Sequence, residues 1–96
     1  MTIQELQKQL DEMYANNELD EAYAFLVEQV NLAVQRQDNA TILFLLNEMI
    51  GYFRVTSQFQ SGNQIALQIF KILDMCGLEE TIDGATSYIN IAAFYR

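Results

Sequence analysis

Leu46-Asn47-Glu48-Met49-Ile50-Gly51-Tyr52-Phe53 is the stretch whose reading decides the fold, because its apolar register recurs along the chain. With Phe53 aligned on Met13 and Tyr95, Ile50 falls on Leu10 and Ala92, and Leu46 falls on Leu6 and Tyr88. The offsets are 40 and then 42 residues. Spacings of three and four within each copy put these residues on one face of a helix. A period of this length marks stacked helical hairpins, each supplying an apolar face that its neighbours cover.

Outward from that stretch the same periodicity predicts five helices and no strand. Thr2 with Glu5 forms a capping-box pattern ahead of Ile3, Leu6, Leu10 and Met13, which places a first helix over about 2–15. Asn16-Asn17 breaks the period, and Asn17 is the expected N-cap of a second helix carrying Leu19, Ala22, Leu26, Val30 and Ala33 to about Arg36-Gln37. Asp38 or Asn39 caps a third helix, apolar over more than one face from Ile42 to Phe53 and so expected to lie between neighbours. Ser57 with Gln60 reads as a second capping box, before a helix holding Phe59, Ile65, Ala66, Ile69, Ile72 and Leu73 and ending at Gly77. A fifth helix, with Thr81 as its cap, holds Tyr88, Ile91, Ala92 and Tyr95.

Composition narrows the class of work. The 96 residues contain no proline, which removes the commonest helix breaker, and 51% are apolar, enough for one small domain with a core. Thirteen acids against five dispersed bases give a net charge of −8, which disfavours nucleic acid and anionic membranes as partners. The start has no signal peptide and no apolar run is long enough to span a bilayer, so the expected location is cytoplasmic. The single cysteine, Cys76, excludes an internal disulfide and reads as a packing residue. There is no histidine, no glycine-rich phosphate loop and no acid-x-x-His pair, so neither an enzyme, a metal nor a cofactor is expected. Asp20-Glu21 and Glu79-Glu80 stand at helix starts, where they complement the helix dipole.

At this point the residues resemble a tetratricopeptide-type repeat, whose first helix follows W-x₂-L-G-x₂-Y and whose second carries A-x₃-F. The second copy reads Leu46-x₂-Met49-Ile50-x₂-Phe53, then Phe59 and Gly62-x₃-Ala66. The first reads Leu6-x₂-Gln9-Leu10-x₂-Met13, then Leu19 and Ala22-x₃-Leu26. The third reads Tyr88-x₂-Ile91-Ala92-x₂-Tyr95. The pattern departs from the family in lacking tryptophan and a closing proline, and in placing Leu10 and Ile50 where a small residue is usual. The unit also exceeds the usual length of about 34 residues, as in variants similar to those of kinesin light chains and bacterial repeat regulators.

The resemblance implies an all-α fold of antiparallel hairpins stacked as an α-α superhelix, a single domain over 1–96. Repeat 1 would span about 2–37, repeat 2 about 38–77, and a half repeat 79–96. It also implies a protein or peptide interaction module that binds in a concave groove. The repeat offsets place Tyr14, Asn47, Gly51, Arg54, Asn90, Ala93 and Arg96 along that groove. Gly51 and Ala93 would leave room for a ligand backbone, and Asn47 and Asn90 flank the two arginines. Arg54 and Arg96 then either converge on a carboxylate or acidic peptide, or complement the ends of their own helices. Tyr52, Tyr88, Phe94 and Tyr95 read as core. The alternatives are the peptide-sensing region of a bacterial regulator, or a capping or self-association segment of a longer repeat protein. Because the third copy stops at its first helix, the expectation is an N-terminal fragment whose open face, at Tyr88, Ile91 and Tyr95, pairs the isolated chain as a homodimer.

Overall fold

A computed structural model of the chain describes residues 2–76, with the backbone alone at Met75 and Cys76. These residues form four helices and no strand: α1 (Ile3–Ala15), α2 (Leu19–Gln35), α3 (Asn39–Val55) and α4 (Phe59–Cys76). Each packs on the next, α2 on α1, α3 on α2 and α4 on α3. The fifth helix, the cap at Gly77 and the half repeat fall outside the described residues, as do Tyr88, Asn90, Ile91, Ala93, Tyr95 and Arg96.

The capping box at the start is present as the sequence predicts. The Thr2 hydroxyl accepts from the Glu5 N–H at 3.2 Å, and the Glu5 carboxylate accepts from the Thr2 N–H at 3.2 Å. The bond from the Thr2 N–H, with the Thr2 hydroxyl donating to the same carboxylate oxygen at 3.1 Å, favours the charged form and holds the Glu5 carboxyl below its ordinary range. Asp38 caps α3 in the same manner, accepting from the Thr41 N–H at 3.2 Å and the Thr41 hydroxyl at 2.6 Å. Its carboxyl is likewise held low, chiefly by those bonds.

Two caps assigned from the sequence are corrected. Asn17 and Ser57 do not open helices; both adopt the left-handed conformation that closes the helix before them, with φ of 60° and 59°, and Gln37 does the same at 55°. In each turn the N–H of the following residue reaches back five positions: Glu18 to the Met13 carbonyl, Asp38 to Ala33 and Gln58 to Phe53, at 2.8, 3.0 and 2.8 Å. This six-to-one bond is the Schellman closure, which satisfies carbonyls that the helix end leaves unpaired. Asn17, Gln37 and Ser57 stand twenty residues apart, so the repeating unit of the backbone is one helix with one three-residue turn. Two such units make the forty-residue period of the sequence. Turns this short oblige consecutive helices to run antiparallel.

The core follows the predicted stripes. Leu6 and Leu10 of α1, Ala22, Leu26 and Ala33 of α2, and Ala66, Ile69 and Leu73 of α4 are buried. On α3 the burial extends over more than one face, through Ile42, Leu43, Leu45, Leu46, Met49, Ile50, Tyr52 and Phe53, because α2 and α4 both pack on it. Phe59, the first residue of α4, is 57% exposed. Gly62, the counterpart of Ala22 in the next hairpin, is buried, as close packing at that position requires.

Candidate functional site

The C-terminal ends of α1 and α3 meet with the turn after α1 around a cleft of about 380 Å³. Tyr14 supplies one wall from the last turn of α1, and Asn17 and Leu19 border it from the turn and the start of α2. Glu48, Gly51, Tyr52, Arg54 and Val55 supply the other wall from α3. Three residues that the repeat offsets assign to the groove, Tyr14, Gly51 and Arg54, therefore share one concavity. Asn47 does not line it: its side-chain amide donates to the Leu43 carbonyl at 2.9 Å, along its own helix.

Why these residues meet follows from the helix period. Glu48, Gly51, Tyr52 and Val55 recur at spacings of three and four, which puts them on a single stripe of α3. Where that stripe passes Gly51 it has no side chain, and a Cβ placed there would meet nothing within 4 Å. The glycine therefore opens a gap in the wall rather than allowing two helices to touch. Tyr52 is buried behind the gap, stacked on Tyr23 with ring centroids 5.1 Å apart and edge-on to Phe53 at 5.5 Å. Tyr23 completes the cluster against Phe53 at 5.7 Å. One side of the cleft is thus backed by an aromatic cluster at the offsets such pairs prefer.

The electrostatics of the cleft are set by Glu48. Burial pushes its carboxyl up, and the charge of Asp11 on α1 pushes it further in the same direction. Tyr14 is half-buried, and its phenol is pushed up to about 12, first by burial and then by Glu48, Tyr52 and Asp11. Arg54 is exposed at the rim. The sequence gives neither Glu48 nor Asp11 a role in the groove. Their influence depends on how closely α1 approaches α3, which no spacing within one helix reveals.

A second, shallower depression of about 660 Å³ runs beside Ile3, Gln4, Gln7, Lys8, Asp11, Glu12 and Ala15 of α1. Among the described residues it is lined by that single helix. Among the described residues no three Cys, Asp or Glu side chains gather as a metal site, and no helix is long and apolar enough to cross a membrane. The chain matches no protein-family model, no curated protein and no solved structure.

Proposed function

We propose that this chain is a protein or peptide interaction module that receives a partner segment in the cleft between α1 and α3. The observation that carries the reading is the cleft itself, where Tyr14, Gly51 and Arg54 converge beside a buried aromatic support. Ligand sites are concave, mostly apolar and furnished with a few placed polar groups, and this one combines Tyr14, Tyr52, Leu19 and Val55 with Glu48 and Arg54. The resemblance to tetratricopeptide-type repeats, in the spacing of Leu46, Ile50 and Phe53 and their counterparts, supports the same assignment.

The test is selection from a random peptide library on the immobilised chain, followed by NMR mapping of the selected peptides. The expected result is that they shift the amides of Tyr14, Gly51 and Arg54, and that Gly51→Leu, which fills the gap, abolishes binding while the fold persists. Peptides that bind the Gly51→Leu variant as well as the wild type, with shifts confined to other surfaces, would overturn the proposal.

A further inference from the structure

We propose, resting on the interaction reading above, that the cleft takes a cationic side chain of the partner, a lysine or arginine whose aliphatic stem lies along Tyr14 and Tyr52 and whose charge meets Glu48. Charge complementarity decides the sign. Glu48 lines the cleft from α3, with the negative charge of Asp11 bearing on it from α1. The cleft also lies where α1 and α3 end, and helix C-termini carry partial negative charge from their last carbonyls; the start of α2, which borders it at Leu19, has the opposite sign but is offset by Asp20 and Glu21 in its own first turn. No basic residue occupies the last turn of α1 to offset that end. Arg54 offsets the end of α3, which is the role its position in the last turn suits.

A carboxylate entering beside Gly51 would be drawn to Arg54 at the rim but would approach Glu48 and the uncompensated C-terminus of α1 inside. An ammonium or guanidinium meets the reverse: repulsion at the rim and attraction within. The interior terms prevail because they act at a half-buried carboxyl, whereas the exposed Arg54 is screened by solvent. The apolar walls suit the methylene stem of such a side chain, which keeps its charged end at the polar group. The open space at Gly51 is the passage for that stem.

Three blocked tripeptides with alanine on either side of lysine, glutamate or norleucine separate the possibilities, each titrated into the intact chain and followed by backbone-amide NMR. The expected result is that the lysine peptide shifts the Tyr14, Gly51 and Tyr52 amides at concentrations about tenfold below the norleucine peptide, and that added salt narrows this gap. Glu48→Gln should bring the two peptides level, Glu48→Asp should retain part of the difference, and a preserved amide spectrum in both variants shows that the fold is intact. Equal binding of lysine and norleucine peptides by the wild type would overturn the cationic assignment and leave the interaction reading standing. Preferential binding of the glutamate peptide at these amides would do the same. If none of the three moves these amides the cationic assignment also fails, and the library selection judges the interaction reading separately.

Discussion

Gln37 holds a left-handed backbone conformation, φ 55°, in a turn where glycine is the usual choice. A side chain there places its Cβ against the following carbonyl, at a cost of about 1–2 kcal/mol before glycine's greater unfolded-state freedom is counted. Gln37→Gly should therefore raise the urea midpoint by the equivalent of about 0.5–1 kcal/mol with an unchanged slope. Asn17→Gly should gain less, since asparagine tolerates this region. A Gln37→Gly chain that unfolds earlier than wild type would mean that the turn is held by the glutamine side chain rather than by the Schellman bonds. Glu48 gives a second residue-scale prediction, in pH. Its folded carboxyl is raised above the ordinary 4.5, by burial first and Asp11 second. Above the raised value both folded and unfolded chains carry the charge and the full penalty applies. As pH falls through that value toward 4.5 the folded chain takes up its proton first and the penalty is relieved. Asp38, held below 3.8, keeps its contribution throughout that window and loses it only in stronger acid. The wild-type urea midpoint should climb as pH is lowered from neutrality through the raised value toward 4.5, and Glu48→Gln should be more stable near neutrality and flatter over the same range. Identical profiles for the two proteins would remove Glu48 as the cause.

Helix packing turns on Ala22 and Gly62, which occupy the same place in successive hairpins and are both buried. Ala22→Leu should overpack the contact of α2 with its neighbours and destabilise by about 1–3 kcal/mol. Gly62→Leu should cost somewhat less, because replacing a mid-helix glycine returns about 1 kcal/mol of helix propensity. Urea midpoints that scarcely move for both variants would show that the small residues face open space. The elements themselves were legible because apolar spacing is set by the helix period, which Leu6, Leu10, Leu46 and Ile50 display without reference to any partner. The turns were less so. Asparagine and serine favour N-caps and left-handed turns for the same reason, a short side chain that bonds to nearby backbone, so Asn17 and Ser57 fitted the wrong side of the break. Gln37 gave no clue, since its conformation is imposed by the bonds from Gln37 and Asp38 to Val34 and Ala33. In the cleft, Tyr14, Gly51 and Arg54 could be placed by repeat offset alone. The support of Tyr52 by Tyr23, and the burial of Glu48, arise from contacts between helices and have no counterpart in spacing.

At the scale of the whole molecule, the stack of the four described helices is uneven. α3 is covered on two sides, by α2 and α4, whereas α1 joins the array through the smallest of the three consecutive helix contacts. Its buried residues are Leu6 and Leu10, against nine on α3. In an array where each helix depends chiefly on its neighbours, stability is close to a sum of local terms, so a weakly attached end opens before the centre. The capping box at Thr2 and Glu5 steadies the first turn of α1 but adds no burial. Native-state hydrogen exchange should accordingly find α1 amides exchanging through a local opening with little urea dependence, while the central amides of α3, around Leu45 and Met49, exchange only through global unfolding. Leu10→Ala, at a fully buried position, should cost about 2–4 kcal/mol of that α1 opening energy and leave α3 protection less affected. The cleft adds a functional consequence. Tyr14 lies in the last turn of α1, so detachment of that helix takes away one wall of the site. A ligand seated between Tyr14 and Gly51 should therefore slow exchange along α1 more than along α3, because it stabilises only the attached state. Equal protection of α1 and α3 with the same urea dependence in the free chain would show a single cooperative unit, and would remove any coupling between the attachment of α1 and the occupancy of the cleft.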